Sequence, residues 1–218
     1  MPVSVRPVPT RRPSALIRTV PRERGDKRER ILAAATRVFA QRGFFGSQVA
    51  DVARAAGVAA GTVYLYFRGK DDLLVSLFEQ TVRAAIEEGR EALAGVASPE
   101  ERLRRIARLH LERLGSDRDL AVVFQVELRQ TTKFMEHFSA TDLREYLGII
   151  RDVVTDGQRA GVFRSDISPT LAAKFLFGAL DEMATNWVLS RRQYDLAAQA
   201  DTVVDLFVHG IGAPRSAS

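Results

Sequence analysis

The chain has no cysteine, which excludes disulfides and thiol chemistry. Its three histidines, His110, His137 and His209, are scattered, and this argues against a zinc site. Long apolar runs are missing as well. None reaches the roughly 20 residues that a bilayer-spanning helix needs, so no integral membrane protein is expected. The sequence contains no nucleophile–base pairing, metal-ligand spacing or glycine-rich phosphate loop, which argues against an enzyme. The lack of cysteine also fits a cytoplasmic protein. What is present is 218 residues, 46% hydrophobic and 27% charged. Those are ordinary proportions for a globular protein with room for one small and one larger module.

Charge is spread unevenly. The first 70 residues hold 14 Lys+Arg against 4 Asp+Glu, and the remaining 148 hold 18 against 23. A net charge of +5 therefore conceals a basic first third on an acidic remainder. One end is suited to a polyanion and the other is not. Residues 1–25 carry five prolines, six arginines and few large apolar side chains. Such a stretch cannot bury enough surface to offset its ordering entropy, so it reads as a flexible basic tail. Its prolines and arginines also interrupt any secretory signal core.

From Asp26 the pattern is helical. Ile31, Leu32, Ala35, Val38 and Phe39 make one apolar stripe, with Asp26 as the expected cap and Gly43 as the stop. Val49, Val52 and Ala53 predict a short helix ending at Gly57, and a second runs from Ala59 to about Tyr66. Asp71 and Asp72 open a long helix through Leu73, Leu74, Leu77, Phe78, Val82 and Ile86. Ser98–Pro99 and Ser168–Pro169 mark two further starts, with proline at the first helical position. Asp119 and Asp195 open others, and Leu143 to Val154 form one more. About nine helices and no sheet predict an all-α fold. The expected division is a flexible tail at 1–25, a helix-turn-helix domain at 26–70, and a ligand-binding and dimerisation domain at 71–212.

The segment from Phe44 to Lys70 has the logic of a helix-turn-helix. Ser47 is the expected N-cap, with a hydroxyl also in reach of a DNA phosphate, and Gln48 follows it. Gly57 permits the tight turn. The second helix offers small residues, Ala60, Gly61 and Thr62, which let the backbone approach base edges closely; Thr62 suits a phosphate, a base or a thymine methyl. Tyr64, Tyr66 and Lys70 supply donors for phosphates. Such motifs insert the second helix into the major groove and act as dimers on paired half-sites.

The run GVAAGTVYLYFRGKDDLL, beginning at Gly57, resembles the signature of the tetracycline-repressor (TetR) family of regulators, with Ser47, Thr62, Tyr64, Tyr66, Phe67 and Lys70 on matching positions. The resemblance implies a homodimeric repressor of a palindromic double-stranded operator, released by a small-molecule effector. It also implies a four-helix dimer interface from the last two helices, here about 169–190 and 195–211. The stretches LAVVFQVELRQTTKF and GALDEMATNWVLSRRQYDL are similar to the fatty-acid-degradation regulators within that family. This second resemblance implies a long-chain acyl-CoA as effector and no cofactor or metal.

A long acyl chain needs a deep apolar tunnel with polar groups at its mouth. The candidate wall residues are Ile106, Leu109, Phe124, Leu128, Leu147, Phe175, Ala179, Met183 and Trp187. Arg102, Arg105, Arg129 and Lys133 are the candidates for the coenzyme phosphates, Arg129 being also counted among the ligand-binding residues. Gln125, Glu127, Asp181, Glu182 and Asn186 lie in otherwise apolar helices. Carboxylates there need partners, and an alternative reading uses them for a drug-like cation in a multidrug sensor controlling an efflux gene.

Overall fold

Apolar spacing near 3.6 residues, interrupted by glycine and restarted by Ser–Pro and acidic caps, divides the chain into helices. In a computed structural model the described residues are 20–130, 142–190, 192 and 194–211. Among them are nine α-helices: α1 (Val20–Arg42), α2 (Val49–Ala56), α3 (Ala60–Tyr64), α4 (Lys70–Leu93), α5 (Pro99–Ser116), α6 (Arg118–Val122), α7 (Asp142–Arg159), α8 (Pro169–Leu189) and α9 (Ala200–Ile211). No β-strand occurs among the described residues. No helix there is long and apolar enough to cross a membrane.

The caps follow the sequence at several places. Ser98 and Ser168 each precede a proline and accept the N–H of the residue three positions on, Glu101 at 3.3 Å and Leu171 at 3.4 Å. The Arg68 N–H is held by Asp72 at 2.8 Å as α4 begins. The starts of two helices and the course of one differ from expectation. Helix α1 begins at Val20, so Asp26 lies inside it and does not cap it. Helix α6 is capped by Asp117, whose carboxylate accepts from Leu120 N at 3.0 Å, two residues before the expected Asp119. The expected helix from Asp119 to Leu128 is also not one helix: α6 passes into a π turn (Val123–Glu127) and then a 3-10 turn (Leu128–Gln130).

Two apolar cores result. The smaller joins α1, α2 and α3 through Ile31, Phe39, Val52, Val63 and Phe67, and takes in Leu73, Leu74, Leu77 and Phe78 of α4 and Val123 and Leu128 of the turns after α6. The larger joins α5, α7, α8 and α9 through Leu103, Leu111, Ile150, Leu176, Leu180 and Val204. Val82 and Phe124 pack against both. Helix α4 is thus a shared beam between the two halves.

Helix α7 ends by a close approach. Gly161 takes φ +70°, and Val162 N–H returns to Gly157 O at 2.9 Å while Gly161 N–H returns to Gln158 O at 3.1 Å. This folds the Phe163 ring onto Gly157, where an added Cβ would collide with a ring carbon. Phe163 is itself buried and cannot retreat. Gly157→Ala is therefore expected to destabilise the protein by about 1–3 kcal/mol through overpacking, read as a lower midpoint in urea. An unchanged midpoint would show that the larger core yields at this point.

Candidate nucleic-acid interface and ligand cavity

Helices α2 and α3 are set by the turn between them. Gly57 adopts the left-handed conformation at φ +67°, and Val58 N–H returns to Ala53 O at 3.0 Å. Val63 and Phe67 are buried, whereas Gln48, Ala60, Gly61, Tyr64 and Leu65 are exposed and Thr62 and Tyr66 half-buried. Tyr64 and Leu65 show 58% and 81% of their surface. Small residues beside an exposed phenol suit close approach to a groove.

Ser47 and Lys70 sit differently from expectation. Ser47 is buried one position before the N-cap, which is Gln48, and its hydroxyl donates to Gly43 O at 2.6 Å. It closes the α1–α2 turn and is turned away from solvent. The Gln48 N–H is taken by Asp51 at 3.1 Å. That bond, helped by Arg42 and Arg54, holds the Asp51 carboxyl below the usual carboxylate range. Lys70 Nζ donates to Phe44 O at 2.8 Å and Ser47 O at 3.0 Å, and lies 4.5 Å above the Phe44 ring. Its ammonium ties the start of α4 to the α1–α2 turn, so any phosphate must share it with these carbonyls.

The other side of the Phe44 backbone faces the larger half of the molecule. Phe44 N–H donates to Glu127 Oε2 at 2.6 Å. Glu127 is buried at the end of the π turn, which is closed by Leu128 N–H bonding back to Val123 O. The wider turn changes the direction of successive side chains. Val123 enters the smaller core, while Gln125 reaches α8, bonding Asp181 at 3.0 Å and accepting from Thr185 and Arg129, each at 2.9 Å. The buried polar residues of this segment are thereby satisfied, Glu127 by backbone 83 residues away.

Behind the π turn lies a cavity of about 330 Å³ between α4, α5, α7 and α8, near the lower end of the ~300–1,000 Å³ typical of ligand sites. Phe78, Val82, Ala85 and Gly89 of α4, Ile106, Leu109, His110 and Leu114 of α5, and Phe124, Gln125, Leu128 and Arg129 beyond α6 line it. Leu143, Tyr146 and Ile149 of α7 and Phe177 and Asp181 of α8 complete the wall. The wall is mostly apolar, and its carboxylates are already engaged: Glu88 pairs with Arg113, and Asp181 with Arg129. His110 Nδ1 lies 3.0 Å from the Tyr146 hydroxyl, and its buried Nε2 has no partner. Burial pushes the His110 imidazole down to about 4, with Asp181 opposing and Arg113 assisting. The same burial pushes the Tyr146 phenol up. No cluster of three metal-ligating side chains occurs among the described residues.

Of the wall residues expected from sequence, Ile106, Leu109, Phe124, Leu128 and Arg129 line this cavity, and Leu147, Phe175, Ala179, Met183 and Trp187 do not. Met183 packs on the larger core. Trp187 is buried in that core, its indole N–H on Tyr194 O at 3.0 Å and the Arg118 guanidinium 4.9 Å above the ring. Phe175 is 68% exposed and stacks on Phe207 at 6.2 Å. Among the expected cations, Arg105 is paired with Glu101 at 3.2 Å. Lys133 and residues 1–19 lie outside the described residues. Sequence spacing does not single out Gly89, His110 and Tyr146 as lining residues. A glycine in mid-helix, and two polar rings on apolar stripes, were the available signals.

Two family models divide the chain between them. Residues 31–77 match bacterial regulatory proteins of the tetR family, and residues 78–210 match the C-terminal region of YsiA-like proteins. The chain is 36% identical to the fatty acid metabolism regulator protein of Bacillus subtilis over 190 residues, 87% of this chain and 98% of that one. Its fold is similar to the crystal structure of FadR from Bacillus subtilis in complex with stearoyl-CoA, with a TM-score of 0.80 and 37% identity over 84% of this chain and 98% of that one. FadR from Bacillus halodurans, a fatty acid degradation regulator, gives 0.81 and 36% over 84% and 95%.

His110 makes stability depend on pH. The unfolded chain binds its proton near 6.5 and the folded protein only near 4, so the neutral ring's contribution is complete above 6.5 and is lost as pH falls toward 4. Between pH 7 and pH 5 the wild type is expected to lose about 2 kcal/mol more than His110→Asn, measured by urea unfolding. Parallel pH profiles for the two proteins would contradict this.

Proposed function

The chain belongs to the TetR family of bacterial regulatory proteins, and from that premise we propose that it is a homodimeric repressor of fatty-acid-degradation genes, released from its operator by a long-chain acyl-CoA. It is a regulator and not an enzyme. Residues 26–70 are assigned to the operator, with Gln48, Ala60, Gly61 and Tyr64 exposed and Thr62 and Tyr66 half-buried beside them, and the helices beyond to effector binding and dimerisation. Its place of action is the cytoplasm, where operator and acyl-CoA meet.

One observation carries this reading: a single short segment both walls the cavity and hydrogen-bonds the helix-turn-helix half. Phe124, Gln125, Leu128 and Arg129 line the cavity, and Glu127 between them holds Phe44 N–H. An acyl chain gains about 0.8 kcal/mol for each methylene it buries, and the lining is suited to that. The acidic groups of the wall among the described residues, Glu88 and Asp181, are bound to arginines and not free for a drug-like cation. The unpartnered His110 Nε2 is a polar atom available to the effector. Occupancy displaces the π turn, and with it the Phe44 backbone and the angle of the recognition helix. Ligand and operator then bias one two-state equilibrium in opposite directions.

The dimer uses the outward side of α8 and α9. Leu171, Phe175, Leu189 and Leu206 are between 62% and 74% exposed, a patch of the kind that marks an interface. Gly178 on the same helix has open space where a Cβ would sit, so a partner helix can approach closely. A two-fold contact of this kind sets the two recognition helices at a fixed spacing.

The test begins with duplexes selected from a random pool by the purified protein, followed by titration with stearoyl-CoA. Release at micromolar effector is expected, and retention of DNA at saturating stearoyl-CoA would overturn the acyl-CoA assignment. An added Cβ at Gly89 meets nothing within 4 Å, so Gly89→Leu is expected to fill the cavity. That variant should bind operator normally and ignore stearoyl-CoA.

Glu127→Ala leaves a buried N–H without its acceptor, at a cost of about 1–3 kcal/mol. Its stearoyl-CoA affinity should survive while the weakening of DNA binding by effector shrinks severalfold. Glu127→Gln, which keeps an acceptor, should respond like the wild type. A full response in Glu127→Ala would remove the π turn from the route.

A further inference from the structure

Among the described residues the most exposed large apolar side chain lies on the reading surface itself. Leu65 shows 81% of its surface directly after α3, yet it is no loose tip. Its backbone is helical, at φ −73° and ψ −19°, and its N–H returns to Thr62 O at 3.2 Å. Val63 before it and Phe67 after it are buried. The Tyr66 and Phe67 N–H groups both bond Val63 O at 3.0 Å. The leucine is therefore presented outward from a backbone that the smaller core holds in place.

Gly61 precedes Leu65 by four residues and shares its face of the helical turn. A Cβ at Gly61 would meet nothing within 4 Å, and Ala60 and Tyr64 beside them are exposed. From Ala60 to Phe67 there is no Arg, Lys, Asn, Gln, Asp or Glu, the side chains that read base edges by hydrogen bonds. The Tyr64 hydroxyl can bond a base or a phosphate, and Leu65 can bond neither. A phosphate is the wrong neighbour for Leu65, because an apolar side chain takes water from it and returns no hydrogen bond. The apolar group that a base edge offers in the major groove is the C5-methyl of thymine. The surroundings favour DNA as the occupant, since residues 1–70 carry 14 Lys+Arg against 4 Asp+Glu.

We propose that Leu65 reads the C5-methyl group of a thymine in each operator half-site. The assignment rests on the operator reading and adds a base to it: α3 selects sequence at this point by apolar contact and shape, with the small residues Ala60 and Gly61 letting the leucine come close. Covering a leucine with a methyl group removes apolar surface from water on both partners. The contact carries no charge, so it contributes specificity without steepening the salt dependence.

The probe is a duplex selected from a random pool by the wild-type protein, with each thymine replaced in turn by deoxyuridine, which keeps the base pairing and lacks the methyl. Binding of every duplex is measured for the wild type and for Leu65→Ala, and a thermal melt verifies that the variant is folded. At one thymine of each half-site the wild type is expected to bind about fourfold more weakly for the lost methyl. Leu65→Ala is expected to be indifferent to that replacement, to bind the parent duplex more weakly, and to keep the wild-type salt slope. Leu65→Met, which retains an apolar tip, should retain the sensitivity. Equal responses of the wild type and Leu65→Ala at every deoxyuridine overturn the Leu65 assignment and leave the repressor reading standing. Selected half-sites without thymine do the same. A wild-type protein that selects no duplex overturns both.

Discussion

The backbone of Phe44 is held from two sides, its carbonyl by the Lys70 ammonium and its N–H by the Glu127 carboxylate. Much of the remaining structure depends on this pairing. A buried carboxylate is costly unless hydrogen-bonded, and a charge-assisted bond to backbone is among the stronger ones. Glu127 can reach that N–H only because the chain leaves the α-helix for a π turn. Gly43, at φ +75°, lies alongside, where a Cβ would be 3.6 Å from the same carboxylate. The turn before α2 is thereby positioned by a residue of the larger half. The ring of Phe44 stacks edge-on against Phe39 of α1, which carries the constraint into the smaller core.

The two halves are therefore not independent bodies joined by a hinge. Leu73 to Phe78 of α4 belong to the smaller core, Ile86 to the larger, and Val82 touches both. A boundary at Lys70 marks where the sequence changes from short helices to a long one. The packing changes sides at Val82, about three turns later. Rigid coupling of this kind lets a change at the cavity wall act on the recognition helix without an unfolding step.

Periodicity and caps carried much of the fold, because each is a local property. The all-α class, the paired short helices at Gly57 and the Ser–Pro starts all rest on neighbours within a few residues. The π turn was not legible in the same way. Residues 119–128 have the spacing of an ordinary helix, and only the presence of Gln125 and Glu127 on it hinted at partners elsewhere. Those partners are on α8 and on the α1–α2 turn, far off in sequence. Helix α8 hid its faces for another reason. It is apolar almost all round, with Leu176 and Leu180 in the core, Phe177 at the cavity and Phe175 outside. Spacing alone cannot separate three apolar environments. Ser47 misled because a serine before a helix usually caps it, whereas here Gln48 occupies that position and the hydroxyl turns inward.

The recognition helix has a consequence for how such a protein diverges. Val63 and Phe67 carry the packing of α3 and its flank, while Ala60, Gly61, Tyr64 and Leu65 are exposed. Surface substitutions of this kind usually change stability by less than about 0.5 kcal/mol. Operator preference is thus separable from folding: the reading surface can be rewritten one residue at a time while the scaffold, its cavity and its switch remain intact. A duplicated copy of this gene could acquire a new set of target promoters long before it acquired a new effector.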